Sequence, residues 1–408
     1  MTESANPPRP LGLDPDELVA CVSCGLCLPH CPTYRVTGLE IASPRGRITA
    51  MRSVEDGTTK IDAEFVRSME ECVQCRGCEA ACPSGVPFGN LMSDTRAALE
   101  QKSHDATSTT PESPRRHRRL ESIGYRYVLP RRRVLRAATW LLYVGQRLHL
   151  VSPRYALPEL SPAALRTELD APVGGTPDVW LFTGCVMDAW LRPTHAAALR
   201  VLRALDLDVA LPGSGGDCCG ALHDHAGRRD DARRLATRVI ASMPGDAPIV
   251  VDSAGCGAAL QHYGALLGTP EAEAFSARVR DFSEFVAARP SLPVRATGRR
   301  VVVQDPCHLR HVQRVHGSVR TVLRDAYDLV ETDDDGLCCG AGGAYSQLQP
   351  ALAAQIRSRK VEALRRAGAF DPGTVVCSAN PGCAMHLASA GCVVAHPAEL
   401  LDHAMEQR

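Results

Sequence analysis

Short apolar runs alternate with helical patterns in the second half of the chain. The runs with the composition of buried strands are residues 179–182, 249–251, 301–304 and 375–376. Helical spacing of apolar residues is found between them, over residues 196–205, 230–242 and 351–366. Strands that alternate with helices predict parallel sheets covered by helices, so we expect α/β layers from residue 177 onward.

The first half of the chain carries helical patterns, over residues 13–19, 46–54, 62–69 and 91–101. Asp14 precedes Pro15, which is a favourable arrangement for the start of the first of these helices. We therefore expect a helical N-terminal domain followed by α/β layers, a mixed α+β and α/β fold class.

The α/β half repeats a cysteine pattern, Cys…Cys-Cys-Gly…Cys. The first copy contains Cys185, Cys218, Cys219 and Cys256, and the second contains Cys307, Cys338, Cys339 and Cys383. A repeat of this length indicates a duplicated domain rather than a solenoid. We expect four regions: a helical ferredoxin-like domain (1–105), an arginine-rich linker with an amphipathic helix (106–176), unit one (177–295) and unit two (296–408).

Two runs near the N-terminus have the spacing C-x2-C-x2-C-x3-C-P. In such runs three cysteines bind one [4Fe-4S] cluster and the fourth binds the other cluster. The first predicted ligand set is Cys21, Cys24, Cys27 and Cys82, and the second is Cys72, Cys75, Cys78 and Cys31. Zinc knuckles or disulfides are the alternative, but a closed zinc site needs neither the third evenly spaced cysteine nor the following proline.

The repeat cysteines are candidate ligands of a further iron-sulfur cluster in each unit. Each follows an apolar run or lies in a glycine-rich turn, and the carboxyl ends of parallel strands meet at one edge of a sheet. The alternative is that they are buried free thiols. Cys377 and Cys392 have no counterpart in unit one and are expected in the core. Four histidines near these turns are candidate secondary ligands or proton carriers, or ordinary structural residues: His223, His225, His308 and His311.

Two arginines, Arg45 and Arg47, lie in the insert between the ferredoxin runs. Positive charge near an anionic cluster raises its reduction potential, which is one role for them. The other interpretation is a solvated turn.

Positive charge is concentrated in residues 114–154, which contain eleven arginines and one acid, Glu121. Within this region, residues 134–151 are too short and too charged to span a bilayer, but they could form an amphipathic helix in a membrane interface. The alternative is a basic linker helix docked on a partner subunit or on the second domain.

Composition limits the function classes. Formal net charge is zero, so we expect no nucleic-acid partner. The polar, proline-rich residues 1–10 lack an apolar signal core, which predicts a cytosolic chain whose 18 cysteines are reduced. Neither a G-x-G-x-x-G nor a P-loop pattern occurs. We therefore assign no catalytic residue to this chain and expect it to carry electrons that another subunit takes from a substrate.

Several short stretches resemble the iron-sulfur subunits of glycolate oxidase. They are residues 31–34 (Cys-Pro-Thr-Tyr), 44–48 (Pro-Arg-Gly-Arg-Ile), 82–86 (Cys-Pro-Ser-Gly-Val), 254–258 (Ala-Gly-Cys-Gly-Ala), 337–340 (Leu-Cys-Cys-Gly) and 386–391 (His-Leu-Ala-Ser-Ala-Gly). The resemblance implies a complex in which flavoprotein subunits with FAD oxidise glycolate to glyoxylate. This chain would relay electrons to a membrane quinone at the cytoplasmic face of the inner membrane.

Other interpretations stay open at this point. Lactate and glycerol 3-phosphate are rival substrates of the same kind of complex. A disulfide-reducing subunit of the heterodisulfide reductase type is another class, and a non-redox iron-sulfur scaffold is a third. Each unit of heterodisulfide reductase ends in C-x2-C, whereas this chain has Ser253 and Asn380 at the first of those positions.

Overall fold

The computed structural model describes residues 9–104, 122–151, 159–290, 292–334 and 336–406. Residues 106–121 and 152–158 of the predicted linker, with part of its arginine-rich region, therefore lie outside the described residues. No helix in the described part of the chain is long and apolar enough to cross a bilayer.

The N-terminal domain is helical, as predicted. Its α-helices are α1 (Pro15–Val19), α2 (Pro32–Thr37), α3 (Pro44–Glu55), α4 (Ala63–Glu70), α5 (Gly77–Ala80) and α6 (Phe88–His104). Asp14 caps α1 by accepting a hydrogen bond from the amide of Asp16, with Pro15 at the first helical position. Asp62 caps α4 in the same manner. A core that includes Met51, Met69 and Leu91 holds these helices together.

The linker contributes two helices to the described part of the chain. A π-helical turn (Gly124–Val128) precedes α7 (Arg132–Arg147), and α8 (Pro162–Arg166) follows. Helix α7 is the amphipathic helix expected within residues 134–151. One face of α7 packs on unit one. Of the two protein surfaces considered for docking of this helix, a partner subunit and the second domain, the structure thus shows contact with the second domain.

Unit one is a parallel four-stranded sheet with helices around it. The strands are β1 (Val179–Phe182), β2 (Val209–Ala210), β3 (Ile249–Val251) and β4 (Val279–Asp281), in the order β2-β1-β3-β4. The helices are α9 (Val186–Trp190), α10 (Arg192–Arg203), α11 (Ala221–His225), α12 (Arg229–Ser242), α13 (Ala254–Gln261), α14 (Tyr263–Leu267), α15 (Pro270–Arg278) and α16 (Phe282–Ala287).

Unit two has the same topology. Its strands are β5 (Arg300–Val303), β6 (Asp328–Val330), β7 (Val375–Cys377) and β8 (Val394–Ala395), all parallel, in the order β6-β5-β7-β8. A π-helical turn (His308–Gln313) follows β5, and the helices are α17 (Gly317–Leu323), α18 (Tyr345–Leu348), α19 (Pro350–Arg366), α20 (Pro381–Ala388) and α21 (Pro397–Glu406). The predicted fold class is thus confirmed.

The two units share one apolar core. Leu181 of β1 and Val303 of β5 both belong to it, together with residues of α10 and α21. Because these side chains are buried between the sheets, the units are fixed relative to each other. The cysteine-bearing turns of both units therefore have defined neighbours.

Candidate functional site

The ferredoxin runs bring two separate sets of thiols together. Cys21, Cys24, Cys27 and Cys82 line one small surface pocket, and Cys24 is exposed. The second set is buried, and burial followed by the charges of Cys75, Cys72 and Cys31 raises the pKa of Cys78 well above its usual range. Each convergent set takes three cysteines from one run and the fourth from the other.

The loops that carry these thiols depend on unusual backbone conformations. Ser23, Gln74 and Arg76 have positive φ angles of 57°, 58° and 59°. Residues other than glycine rarely adopt this left-handed region, and such positions cluster at functional sites. Here they alternate with the cysteines, so the backbone bends around the thiols.

Arg45 and Arg47 have different environments. Arg45 pairs with Glu40, donates to the carbonyl of Ser23 at 3.1 Å and lines the same pocket as Cys24. Arg47 is 1% exposed and donates to the carbonyls of Ala42 at 2.6 Å and Ser68 at 2.8 Å. The interpretation of Arg47 as part of a solvated turn is wrong, because it lies in α3 and its guanidinium holds buried carbonyl groups.

In unit two the four repeat cysteines converge, and a fifth thiol joins them. The sulfurs of Cys339 and Cys383 are 3.0 Å apart. Cys338 is in contact with Cys307, Cys339 and Cys75 of the ferredoxin domain. A hydrogen bond from Cys338, supported by the adjacent His308, lowers the pKa of Cys307 to about 6. The buried ferredoxin set and unit two therefore form one continuous group of thiols.

In unit one the corresponding cysteines also converge. The sulfurs of Cys219 and Cys256 are 3.4 Å apart, and Cys185 contacts Cys218. The Tyr263 hydroxyl donates to the carbonyl of Cys219 at 2.8 Å. The hydrogen bond with Cys218, together with burial, raises the pKa of Cys185 well above its usual range. The outer side of this group is covered by helix α7 rather than by the ferredoxin domain.

The glycine after each Cys-Cys pair is required by the close packing of the turn. Gly220 and Gly340 have φ angles of 78° and 85°. A Cβ atom on Gly340 would lie 2.7 Å from the carbonyl oxygen of Ala353, and one on Gly220 would lie 3.2 Å from the Cα of Ala232. Only glycine fits both constraints, so the Cys-Cys-Gly pattern indicates a turn that packs closely against the second helix after it, α12 in unit one and α19 in unit two.

A cavity of about 80 Å³ lies between the ferredoxin domain and the two units, beside two of the four histidines. His225 and His308 line it and stack with ring centres 5.7 Å apart. Burial, with the nearby positive charges of Arg96 and Arg76, lowers the pKa of His225 to about 4. His223 and His311 instead contact backbone carbonyls, at 2.9 Å in each case. His262, which also lines the cavity, was missed because its sequence context carries no cysteine turn.

The two units meet beside their cysteine sites. The Asn380 side chain accepts a hydrogen bond from the amide of Gly255 at 3.0 Å and donates to the sulfur of Cys383 at 3.6 Å. The amide of Ala254 donates to the carbonyl of Ala379 at 3.0 Å. One of the two residues that replace the C-x2-C cysteine thus joins the units. Cys377 and Cys392 are both buried, as predicted: Cys377 lies in the core shared by the two units, and Cys392 lies in a cluster that also contains Cys339 and Cys383.

The chemistry of these donor sets fits iron-sulfur clusters. All 18 cysteines are free, and each of the four groups offers four thiols. Among the described residues, no cluster of His, Cys, Asp or Glu is arranged to hold a single metal ion. The two thiolates would bind different irons of one cluster and would then be farther apart than the 3.0 Å contact of Cys339 with Cys383, so these side chains must separate to bind.

Family models match both halves of the chain. A 4Fe-4S dicluster domain matches residues 17–86, and a cysteine-rich domain matches twice, at residues 179–261 and 301–388. The chain therefore carries the domains of an iron-sulfur protein with a duplicated cysteine-rich half.

Curated relatives extend over nearly the whole chain. The glycolate oxidase iron-sulfur subunit of Escherichia coli (strain K12) is 33% identical over 97% of this chain and 96% of its own length. The probable glycolate oxidase iron-sulfur subunit of Bacillus subtilis (strain 168) is 31% identical over 92% and 89%. A dihydromethanophenazine:CoB--CoM heterodisulfide reductase subunit of Methanosarcina acetivorans is 26% identical over 91% and 88%. The chain belongs to the family of glycolate oxidase iron-sulfur subunits, to which heterodisulfide reductase subunits are related.

Proposed function

We propose that this chain is the electron-transfer subunit of a flavin-dependent complex that oxidises glycolate to glyoxylate. The single observation that carries the proposal is the contact between Cys75 and Cys338, which joins the ferredoxin thiols to those of the duplicated half. A chain that only stored clusters would not need this continuity. Supporting it, the two family members described above are subunits of glycolate oxidase.

The proposed ligands are the thiols that converge. One [4Fe-4S] cluster is assigned to Cys21, Cys24, Cys27 and Cys82, and the other to Cys72, Cys75, Cys78 and Cys31. A further cluster is assigned to each repeat unit, on Cys185, Cys218, Cys219 and Cys256, and on Cys307, Cys338, Cys339 and Cys383. When bound, such clusters supply one-electron carriers whose potentials depend on nearby charge and hydrogen bonds.

Charged side chains around these thiols would tune the reduction potentials of the clusters. Arg45 places positive charge at the exposed set, and buried Arg47 and Arg96 lie beside the second set. Flavoprotein subunits with FAD are the proposed electron donors, and a membrane quinone is the proposed acceptor. The complex then works at the cytoplasmic face of the membrane.

The substrate is tested on the native complex. Purified anaerobically with its co-purifying subunits, the complex receives glycolate, D-lactate, L-lactate or glycerol 3-phosphate while cluster absorbance is followed. Bleaching by glycolate supports the proposal, whereas bleaching only by another acid assigns the complex to that acid. If no acid bleaches the clusters but a disulfide reoxidises the chemically reduced chain, the heterodisulfide reductase interpretation replaces ours.

The relay is tested by substitution. Cys24→Ser and Cys75→Ser are each expected to abolish quinone-linked oxidation, while reduction of a dye directly by the flavoprotein subunits persists. Cys377→Ser is the matched control, because Cys377 is buried in the core shared by the two units, which contains none of the proposed ligand cysteines. Loss of dye reduction in a still-assembled complex would show that the chain does more than relay electrons.

A further inference from the structure

We propose that the outer face of α7 binds an anionic lipid surface and thereby holds the thiols of unit one against the membrane. This inference rests on the proposed function for its acceptor, a membrane quinone. The surface itself is defined by contacts and charges on this chain.

The inner face of α7 is anchored on unit one. Leu135 is buried in one cluster with Cys185 and Cys218. Arg132 donates to Asp188 at 2.7 Å, and the indole of Trp190 donates to the hydroxyl of Thr139 at 3.0 Å. Because these bonds hold it, α7 is a fixed part of the wall around the unit-one thiols.

The outer face of the same helix is apolar as well. Four exposed apolar residues lie along it at helical spacing: Val134, Leu141, Val144 and Leu148. Leu148 lies just beyond the C-terminus of α7. Leu141 and Leu148 are 76% and 61% exposed. A helix that only packs on its own domain has one apolar face, so the second stripe requires a second partner.

Aromatic and basic side chains flank the stripe. Trp140 and Tyr143 are in edge contact, with ring centres 6.0 Å apart, and Arg147 lies over the Tyr143 ring at 5.5 Å. Residues 122–151 contain six arginines and no acid, while the whole chain has a formal net charge of zero. A narrow apolar stripe with Trp and arginines beside it is the composition of helices that lie in a membrane interface, and anionic lipids attract the arginines.

The position of α7 gives this surface a function. Helix α7 lies directly over Cys185 and Cys218, and a helix with its side chains is about 10 Å across. If the outer stripe lies in the headgroup region, a single helix separates the unit-one thiols from lipid.

The test uses the full-length, iron-loaded chain and vesicles. Vesicles of phosphatidylcholine mixed with phosphatidylglycerol are expected to bind the chain, and vesicles of phosphatidylcholine alone are expected to bind it much less. Added salt should weaken binding, because it screens the arginines. Brominated lipids should quench the fluorescence of Trp140, and Trp140→Phe should remove that quenching.

Variants locate the surface. The double variant Leu141→Glu/Leu148→Glu is expected to bind anionic vesicles at least about tenfold more weakly, with unchanged iron content and circular dichroism. Val393→Glu is the matched control, because Val393 is 64% exposed in unit two and is expected to leave binding unchanged. Equal vesicle binding by the double variant and the unsubstituted chain would overturn the proposal.

Two other outcomes also decide the matter. Failure of the unsubstituted chain to bind anionic vesicles overturns the proposal, and loss of a co-purifying subunit in the double variant would assign the stripe to a protein partner. Bleaching by glycolate in detergent does not involve lipid. Its failure would therefore overturn the proposed function while leaving the result with vesicles intact.

Discussion

Unit one and unit two have the same strand order and the same Cys…Cys-Cys-Gly…Cys pattern, but their thiols face different neighbours. In unit two Cys338 touches Cys75 of the ferredoxin domain, whereas in unit one Cys185 and Cys218 lie beneath Leu135 of α7. The shared turn geometry places four thiols together in each unit. The element that packs on each group of thiols decides which neighbour the group can exchange electrons with.

The units also differ in how they hold a buried carboxylate near their first strand. In unit one Asp188 is bound by Arg192 of α10 and by Arg132 of α7. In unit two Asp305 is bound by two arginines of its own unit, Arg310 at 2.9 Å and Arg320 at 2.5 Å. Asp188 therefore ties α7 to unit one, while Asp305 stabilises only unit two.

The largest expected effect comes from removing these charges. Asp305→Asn and Asp188→Asn should each lower the free energy of unfolding by about 3 kcal/mol, because each leaves partly buried guanidinium groups without their carboxylate. Urea denaturation measures the change. Only Asp188→Asn should also release α7 from unit one, so that its backbone unfolds more readily and trypsin cleaves it after its arginines.

The control for this pair is Asp333→Asn. Asp333 forms an ion pair with Arg366 in which both side chains are more than half exposed, so its loss should cost less than about 1 kcal/mol. Equal trypsin sensitivity of α7 in the Asp188 and Asp305 variants would contradict the distinction between the units.

A smaller effect should distinguish the two units by the way their stability depends on pH. Asp281 is the last residue of β4 and His396 follows β8, and each caps the helix that comes next. The backbone amide of each also donates to a glutamate, Glu284 or Glu399. Burial raises the pKa of Asp281 to about 7, whereas burial lowers the pKa of His396 to about 4. Asp252 acts on both groups, since its charge raises both pKa values.

The two shifts have opposite consequences for stability. The folded state holds the Asp281 proton up to about pH 7 and the unfolded state releases it near 3.9, so this contribution is lost as pH rises through that range. His396 is neutral in the folded state down to about pH 4 and has an unfolded pKa near 6.5, so its contribution is lost as pH falls through that range.

Substitution should therefore change the slope of stability against pH in opposite directions. Between pH 5 and about 6.5, Asp281→Asn should make the free energy of unfolding rise more steeply with pH, and His396→Asn should make it rise less. Asparagine can still cap a helix, so the caps are kept in both variants. Urea denaturation at several pH values decides, and slopes that change in the same direction would refute the assignment.

The smallest expected effect concerns the junction of the units. Asn380→Ala removes the acceptor of the Gly255 amide and should cost about 1 kcal/mol. At the equivalent position in unit one, Ser253 makes no side-chain capping bond, so Ser253→Ala should change stability by less than about 0.5 kcal/mol. Thermal denaturation of the two variants side by side tests this, and equal costs would show that Asn380 does not join the units.

The local spacing of apolar and capping residues was sufficient to predict much of the fold. Strands β1 and β3 have the bounds that their apolar runs predicted, and Asp14 caps α1 as expected. The strands β2, β4, β6 and β8 were missed. Strands β2 and β8 have only two residues, and the three-residue strands β4 and β6 contain charged residues, so none of the four forms an apolar run like those of β3 and β7.

The sequence by itself determined the chemistry of this protein, because C-x2-C-x2-C-x3-C-P and Cys-Cys-Gly are local patterns in which the backbone between close neighbours places the thiols. Only the tertiary structure decided what surrounds each group. The burial of Arg47, the contact of Cys75 with Cys338 and the seating of α7 over Cys185 join residues far apart in the chain. Such contacts depend on how whole helices and sheets pack, which no short spacing encodes.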